Sequence, residues 1–228
     1  MIDLEHVTKI FNKGKASECT AVDDISLSID AHKITVLKGP SGSGKTTALS
    51  IIGAMAKPTS GRVRIFGDEI TSLPERFLSR IRRRSFGFIF QQFNLIKGIT
   101  ALENIMIPAY PGGEKHRVLR SRALGLLDLF NLSHKATSKI EWLSGGEAQR
   151  ITIARALMNN PEIIIADEPT AHLDTKLSTE FMEIMARLNS EGKTILVASH
   201  DPLVYEASTV EKVIEFRDGR IITPGELQ

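Results

Sequence analysis

Residues 39–47 read Gly39-Pro40-Ser41-Gly42-Ser43-Gly44-Lys45-Thr46-Thr47, a segment with the spacing G-x-x-x-x-G-K-[ST]. The apolar, β-branched run 34–37 before it predicts a buried strand, and residues 48–52 after it predict a helix. This is the setting of a phosphate-binding loop, in which backbone N–H groups and the helix dipole attract an anion. Lys45 supplies a charge for the β- and γ-phosphates, and Thr46 a hydroxyl for Mg²⁺. The segment predicts a nucleotide site rather than a glycine turn with a solvated lysine.

The composition is typical of a soluble globular protein. The 228 residues, 42% hydrophobic and 25% charged, suffice for one sizeable α/β core rather than two independent domains. A formal charge of +2 would not attract nucleic acid, so no nucleic-acid partner is expected. The lone Cys19 cannot form an internal disulfide, which fits a reducing compartment. Because no apolar run approaches the ~20 residues of a spanning helix and no signal peptide is recognisable, we expect the chain to remain in the cytosol.

Two segments near the N-terminus alternate apolar and polar side chains. Residues 2–7 and 24–29 show this pattern, which predicts half-exposed strands in an antiparallel layer. Phe11 falls in the polar loop predicted between them. Its ring can pack locally or stack on a nucleotide base near the phosphate loop, and the residue alone favours packing.

A glutamine pair follows the next buried strand. Residues 86–90 predict this strand, and Gln91-Gln92 stand at its carboxyl end, where ligands of open α/β sheets collect. A side-chain amide there can reach a metal ion or a water molecule. From this point to about residue 141 the pattern is helical and includes a capping box formed by Thr100 and Glu103. The segment predicts an α-helical lobe inserted between strands of the sheet.

Two consecutive glycines begin a later predicted helix, in the sequence Leu143-Ser144-Gly145-Gly146-Glu147. Ser144 and Glu147 have the spacing of a capping box, which explains the helix start but not the glycines. Glycines at this place expose backbone N–H groups, which would form a second anion site together with Ser144 and the helix dipole. The two interpretations are compatible.

Two carboxylates end a continuous apolar strand in the C-terminal half. Residues 163–166 predict a strand buried on both faces, so Asp167 and Glu168 belong at its exposed tip. In a phosphate-loop protein the first carboxylate holds Mg²⁺, and Glu168 is placed to polarise an attacking water. Residues 194–199 form a second apolar run that predicts a buried strand, and His200 follows at its carboxyl end. A histidine at a strand end is usually incidental, but a third polar group on one sheet edge favours a site.

In this order the motifs resemble those of the ATP-binding cassette (ABC) ATPases over essentially the whole chain. The phosphate loop alone would admit kinases and GTPases, but residues 143–147, just before the Asp167-Glu168 strand, match the signature of this family. The resemblance implies ATPase activity, with ATP and Mg²⁺ as cofactors. It implies an α/β fold with a P-loop NTPase (RecA-like) core, an antiparallel β subdomain and an inserted α-helical subdomain. A single ABC domain would cover residues 1–228, with the core and β subdomain in 1–90 and 159–228 and the helical lobe in about 91–158.

The resemblance also implies a role for each motif residue. Glu168 would be the catalytic base, His200 the switch histidine at the γ-phosphate, and Gln91 the glutamine that senses a membrane partner. Asp174 would belong to the D-loop, and the implied Mg²⁺ ligands are Thr46, Gln91 and Asp167. The implied nucleotide-binding residues are Phe11, Gly39, Pro40, Ser41, Gly42, Ser43, Gly44, Lys45, Thr46 and Thr47. The residues implied to cover ATP on a second subunit are Ser144, Gly145, Gly146 and Glu147.

Three positions depart from the usual pattern of the family. Phe11 stands where tyrosine is commoner and keeps the stacking, and Glu147 ends the signature where glutamine is commoner. His172 occupies a D-loop position often held by alanine, where it could alter communication between two sites.

The resemblance implies a head-to-tail homodimer in which the signature of one copy covers ATP on the phosphate loop of the other. ATP binding would join the copies and hydrolysis would release them.

A narrower resemblance rests on residues 90–96 and 102–105, which are similar to the cassettes of lipoprotein release, macrolide and haem efflux, and cell division. It implies the ATPase of a complex that exports or extracts a lipoprotein, lipid, haem, drug or peptide. We expect a peripheral location at the cytoplasmic face of the cell (inner) membrane, on a permease that docks near Gln91 and the helical lobe. Phe93, Leu95 and Ile96 are the candidate docking residues, and core packing is an equal alternative for them.

Other functions remain open. An ATPase that mechanically regulates a membrane or cell-wall complex, as in the cell-division cassette, differs only in its partner, so the sequence cannot separate it from a transporter. A soluble ABC ATPase of DNA repair or translation is disfavoured, because the chain has neither a long coiled-coil insertion nor a second cassette. The signature and His200 argue against a small-molecule kinase.

Overall fold

The computed structural model describes residues 2–171 and 173–222. Its strands are β1 Ile2–Phe11, β2 Cys19–Ile29, β3 Ile34–Lys38, β4 Ser60–Ile65, β5 Asp68–Glu69, β6 Phe86–Ile89, β7 Ile163–Asp167, β8 Thr194–Ser199, β9 Lys212–Arg217 and β10 Arg220–Ile222. Its α-helices are α1 Lys45–Ile52, α2 Glu75–Ser85, α3 Ala101–Met106, α4 His116–Leu129, α5 Gly145–Leu157, α6 Thr175–Ser190 and α7 Pro202–Tyr205. Short 3-10 turns span Ile107–Gly112, Ser133–Lys135 and Ile140–Trp142.

The strands form two sheets. The larger has the order β10-β9-β3-β8-β7-β6 and is parallel except for the β9–β10 hairpin, and the smaller is antiparallel with the order β2-β1-β4-β5. The parallel register pairs Lys38 with Ser199 and Asp167 with Ala198. The carboxyl ends of β3, β7 and β8 therefore lie at one edge, so the segments that follow these strands meet there.

Apolar side chains of the larger sheet alternate between two hydrophobic clusters. Val36, Ile164 and Val197 belong to the cluster shared with α3, α4, α5 and α6. Leu37 and Leu196 belong to the second cluster, which contains residues of α1 and of the smaller sheet. Because successive side chains of a strand point to opposite faces, a sheet covered on both sides needs continuous apolar strands. The predicted fold class, a P-loop core with an antiparallel β layer and inserted helices, is confirmed.

The inserted helices α3, α4 and α5 lie between β6 and β7 in the chain. Thr100 and Glu103 form the predicted capping box at the start of α3. Asn104, which is fully buried, accepts from the N–H of Ile96 and donates to the carbonyl oxygens of Ile96 and Thr100. This amide fastens the loop after β6 to the first inserted helix.

The structure differs from the sequence-based expectation in the smaller sheet. The strand β1 continues to Phe11, which pairs with Cys19, so Phe11 does not lie in a loop as predicted. Register shifts between Leu4 and Ile10 interrupt the alternation of side chains, which hides the continuation of the strand from a pattern analysis. The two-residue strand β5 was not predicted, because two residues carry no periodicity. His172 lies outside the described residues.

Candidate functional site

A cleft of about 540 Å³ opens at the carboxyl edge of the larger sheet. It lies where β3, β6, β7 and β8 end. The start of β2 and the β9–β10 turn also border it. Its lining residues are Cys19, Thr20, Ala21, Ser41, Gly42, Ser43, Gly44, Lys45, Thr46, Thr47, Gln91, Glu168, His200, Asp218 and Gly219. The structure thus gathers most of the predicted phosphate loop with Gln91, Glu168 and His200 around one space.

The backbone of residues 39–44 makes a turn that only glycine fits at two points. A Cβ on Gly39 would lie 2.2 Å from the carbonyl oxygen of Phe216, and one on Gly44 would lie 2.4 Å from that of Ala21. Gly44, with φ of 101°, also has a left-handed conformation that disfavours other residues. Ser43 is buried, and its hydroxyl has no hydrogen-bond partner among the described residues. The loop thus has a buried hydroxyl that is available to a ligand, and the N-terminus of α1 follows it directly. Both features fit a bound phosphate group.

Lys45 is only 4% exposed at the floor of the cleft. Its Nζ donates to the carbonyl oxygens of Gly39 at 2.7 Å and Pro40 at 2.9 Å, and lies 3.3 Å from Oε1 of Glu168. A buried ammonium needs such acceptors, because desolvation of an unpaired charge is costly. The phosphate loop therefore curls around its own lysine and holds it against the carboxylate that follows β7.

Glu168 stands between two donors and has an unusual backbone. Its Oε2 lies 2.9 Å from Nδ1 of His200, and its side chain is 12% exposed. Because an ionised carboxylate only accepts hydrogen bonds, Nδ1 of His200 carries the hydrogen in this contact. The φ of Glu168 is 44°, and its N–H donates to the carbonyl of Ala198 on β8 at 2.9 Å. A left-handed conformation costs a non-glycine residue about 1–2 kcal/mol, and such outliers are concentrated at functional sites.

Asp167 and Thr46 form a pair of oxygen groups beside Glu168. The hydroxyl of Thr46 donates to Oδ1 of Asp167 at 3.0 Å. Burial raises the pKa of the Asp167 carboxyl and the nearby charge of Glu168 adds to the rise, while the bond from Thr46 opposes it. A hydroxyl and a carboxylate in contact are the donor types that suit Mg²⁺, and a cation there would offset the unfavourable charge of Asp167.

The Ser144–Glu147 segment has the predicted cap and lies away from this cleft. Ser144 N–H donates to Oε2 of Glu147 at 2.8 Å, and Glu147 N–H donates to the Ser144 hydroxyl at 3.3 Å. The backbone bond from Ser144 holds the pKa of Glu147 below its usual value, and Lys135 at 3.1 Å adds to the effect. None of residues 144–147 lines the cleft. The predicted anion site at the start of α5 is therefore separate from the phosphate loop of the same chain.

The two signature glycines have different surroundings. A Cβ on Gly146 would lie 2.8 Å from Cδ2 of Leu177, so this glycine allows α5 to pack against α6. A Cβ on Gly145 would meet no atom of the described residues within 4 Å. Internal packing thus accounts for Gly146 and leaves Gly145 open to a partner outside the described chain.

Phe11 and Asp174 do not line the cleft. Phe11 is 44% exposed at the end of β1, with Nζ of Lys9 5.1 Å from its ring centroid, and its strand partner Cys19 does line the cleft. Asp174 caps α6 and accepts from the N–H of Leu177 at 2.8 Å.

Two buried polar residues of α5 escaped the sequence analysis. Nε2 of Gln149 donates to the carbonyl oxygen of Pro169 at 3.1 Å, and Nη2 of Arg155 donates to that of Phe93 at 2.6 Å. Burial lowers the pKa of Arg155. The available signal was the position of a long polar side chain among the apolar residues of a buried helix, which does not reveal the partner.

Comparison with known proteins decides the family. The model of the ABC transporter family matches residues 22–171. This chain belongs to the ABC transporter family. The ABC cassette is 41% identical over 222 residues to the macrolide export ATP-binding/permease protein MacB of Burkholderia pseudomallei (strain 1710b), and 39% identical over 222 residues to that of Salmonella typhi. Each alignment covers 97% of this chain and 34% of the relative, so the chain spans about a third of their length.

Solved structures resemble the cassette over almost its full length. The dimeric structure of MJ0796, a bacterial ABC transporter cassette, has 42% sequence identity and a TM-score of 0.88, and the match covers 98% of this chain and 97% of the other. A dimeric post-hydrolysis state of MJ0796 bound to ADP and Pi has 40% identity with the same TM-score and coverage. The predicted family and its ATPase class are confirmed.

Within residues 2–171 and 173–222, no helix is long and apolar enough to cross a membrane.

Proposed function

We propose that this cassette binds and hydrolyses ATP at the cleft beside Lys45 and drives a membrane permease. The observation that carries the proposal is the position of Glu168 beside the phosphate loop, where its carboxylate contacts Nζ of Lys45 and Nδ1 of His200. A carboxylate held there can accept a proton from a water molecule that attacks a bound phosphate.

Nucleotide binding would use the phosphate loop. Its N–H groups and the start of α1 would bind the β- and γ-phosphates, and these would compete with Glu168 for the Lys45 ammonium. Thr46 and Asp167, with Gln91, would hold Mg²⁺, which neutralises negative charge on the phosphates. Phe11 would stack on the base from the end of β1, beyond the residues that line the cleft.

Hydrolysis would then depend on Glu168 and His200. Once phosphate oxygens attract Lys45, Glu168 is free to accept a hydrogen bond from water and to remove its proton. The His200 ring, bonded to Oε2 of Glu168, would hold the carboxylate in place and interact with the γ-phosphate. Gln91, exposed at the rim of the cleft, would contact the water or the metal ion and respond to the permease.

A second copy of this chain would complete the site. The capped start of α5 lies off the cleft of its own chain, and Gly145 has open space in front of it. We infer that Ser144, Gly145, Gly146 and Glu147 bind the ATP held by the other copy, with Asp174 near the contact. The dimeric form of the 42% identical cassette supports this arrangement.

The permease would dock on the face next to Gln91. A groove of about 430 Å³ lies there, with an apolar floor that includes Phe88 and Phe90 and a basic rim of Arg82 and Arg83. Of the three docking candidates, Ile96 is 51% exposed, Phe93 is partly buried, and Leu95 packs against the helical core.

The whole complex would act at the cytoplasmic face of the cell (inner) membrane. The MacB relatives are named for macrolide export and for a permease in the same chain. We propose that the permease of this cassette, in the same or another polypeptide, exports or extracts a substrate, and a macrolide-class drug is the first to test. No structural feature of residues 2–171 and 173–222 favours purely mechanical regulation of a membrane or cell-wall complex over transport.

The test replaces the proposed base. Purified Glu168→Gln should bind ATP, elute as a dimer in ATP on size-exclusion chromatography, and release phosphate about 10²–10⁴-fold more slowly than the parent chain. Glu183→Gln, on the exposed face of α6, is the matched control and should behave like the parent. A Glu168→Gln chain that stays monomeric and fully active contradicts the assignment.

A second experiment addresses the partner. The tagged Glu168→Gln chain is expressed in its native cell, membranes are solubilised gently in ATP, and co-purifying proteins are identified. A permease with a large extracytoplasmic domain supports the membrane-coupled ATPase. Recovery of only soluble protein or nucleic acid would remove the transporter assignment and leave the ATPase site intact.

A further inference from the structure

The segment that follows Glu168 is tied to α5, the helix that begins at the signature. Nε2 of Gln149 donates to the carbonyl oxygen of Pro169 at 3.1 Å. Gln149 is 4% exposed, so water does not replace this bond when the side chain is shortened or made apolar. Pro169 follows Glu168 directly and has a fixed φ, so its carbonyl carbon cannot be displaced without also displacing the peptide bond that joins it to Glu168.

Other contacts of the same segment come from the sheet edge. Glu168 contacts Lys45 and His200, and the hydroxyl of Thr170 donates to Oδ2 of Asp201 at 3.2 Å. These partners follow β3 and β8 and form part of the cleft or its immediate surroundings. Gln149 differs from them because it approaches from the inserted helices.

The helix α5 is attached at both of its halves. Gly146 packs against Leu177 near the helix start, and Arg155 donates to the carbonyl oxygens of Phe93 and Asn94 near the helix end. A helix is a stiff element, so a displacement of its start is transmitted along its length. Gln149 lies between the two attachments and is placed to pass that displacement to Pro169.

We propose that Gln149 is a positioning residue for Glu168, which sets the carboxylate according to the position of α5. The inference rests on the proposed function, in which the Ser144 end of α5 binds the nucleotide of a second copy. Binding at Ser144 moves or stiffens α5, the Gln149 amide holds the Pro169 carbonyl, and Glu168 takes its active geometry. The active site of each copy is thereby made dependent on the nucleotide bound at the site of the other copy.

The test compares three variants in the full chain. Gln149→Leu keeps the size of the side chain and removes the N–H donor, and Gln149→His returns a ring N–H at similar reach. The matched control is Thr152→Val, because Thr152 is fully buried on the same helix and its hydroxyl donates to the backbone carbonyl of Gln149 and to no other group of the described residues. The readouts are kcat and KM for ATP, the melting temperature, and hydrogen exchange of backbone amides 168–171.

The expected result separates positioning from folding. Gln149→Leu should lower kcat about tenfold with KM for ATP within about twofold, and Gln149→His should recover most of the loss. The amides of 168–171 should exchange faster in Gln149→Leu without nucleotide, while Thr152→Val matches the parent in both readouts.

Two outcomes overturn the proposal. One is a Gln149→Leu chain with the kcat and amide exchange of the parent. The other is a loss of kcat in Gln149→Leu that Gln149→His does not recover and that is accompanied by an equal loss of ATP affinity or by a large fall in melting temperature. Such a result would mean that Gln149 contributes to packing and not to the position of Glu168. Amide exchange needs no turnover, so a failure of the proposed ATPase in the parent would be recognised separately.

A double-mutant cycle tests the connection to the signature. If Ser144 and Gln149 act along one path, Ser144→Ala with Gln149→Leu should slow turnover by less than the product of the two single effects. Effects that multiply in full would show that Gln149 supports Glu168 independently of the signature, which overturns the coupling.

Discussion

Nδ1 of His200 and Oε2 of Glu168 lie 2.9 Å apart at the carboxyl edge of the larger sheet. The two residues follow different strands, β8 and β7, which are neighbours in the parallel register. The other carboxylate oxygen of Glu168 lies 3.3 Å from the Lys45 ammonium. The orientation of this carboxylate is thus determined jointly by the phosphate loop and by the end of β8.

Replacement of His200 by alanine should affect turnover more than binding. We expect His200→Ala to lower kcat about 10²-fold or more, because Glu168 loses the donor that orients it. ATP affinity measured by calorimetry should stay within about threefold. The control is His32→Ala, since Nδ1 of His32 contacts the carbonyl of Gly192 away from the cleft. Full turnover by His200→Ala would exclude a role for this pair.

Loss of the Lys45 charge should weaken nucleotide binding. Lys45→Ala should reduce ATP affinity by about 10–100-fold, because a charge-assisted hydrogen bond contributes about 1.5–3 kcal/mol. It also leaves Glu168 without its buried partner, so the melting temperature is recorded alongside calorimetry. Lys33→Ala, just before β3 and paired with Asp30 at the surface, serves as the control. Unchanged affinity in Lys45→Ala contradicts the phosphate-loop assignment.

The ring of Phe11 should contribute to recognition of the base. Phe11→Ala should weaken ATP binding by about 1–3 kcal/mol, the range for stacking of one base on an aromatic side chain. Phe11→Tyr should bind as the parent does, and binding of inorganic triphosphate should be equal in all three chains. Phe66→Ala, which removes another half-exposed ring, is the control. If Phe11→Ala binds ATP normally, the ring only packs against its surroundings.

Blocking the start of α5 should prevent pairing of two copies. Trp142 is the only tryptophan of the chain, is 70% exposed, and precedes Ser144 by two residues. In a Glu168→Gln background, ATP should therefore change its fluorescence when a second copy covers it. Adding Ser144→Arg should abolish this change while ATP still binds by calorimetry, because the arginine fills the space in front of Gly145. A fluorescence change that survives Ser144→Arg argues against the shared site.

The cap of α5 should make stability depend on pH in a specific range. The pKa of Glu147 is lower in the folded chain than in the unfolded one, so folding favours the ionised carboxylate. This contribution is complete above the ordinary glutamate pKa and disappears as the pH falls through the lowered value. Parent and Glu147→Gln melting temperatures, recorded from neutral to acidic pH, should therefore converge in acid. A difference independent of pH would mean that the charge of Glu147 does not stabilise the cap.

Much of the fold follows from local sequence patterns. The capping boxes that begin α3 and α5 were predicted, because each depends on hydrogen bonds between residues three positions apart. The strands β7 and β8 were predicted from continuous apolar runs, which a strand covered on both faces requires. The roles assigned to the individual site residues, from Phe11 and Lys45 to Glu168 and His200, stay predictions.

The amino-acid sequence by itself determined the phosphate-loop segment, the helix caps, the buried apolar strands and the family resemblance, because turns, caps and side-chain periodicity depend on neighbours along the chain. Only the tertiary structure decided that β1 continues to Phe11 and that Gln149 donates a hydrogen bond to the carbonyl of Pro169. It also decided that Glu168 has a left-handed backbone conformation and that its carboxylate contacts both Lys45 and His200. These contacts join residues far apart in sequence. Their geometry depends on how the two sheets and the inserted helices pack, which no local pattern records.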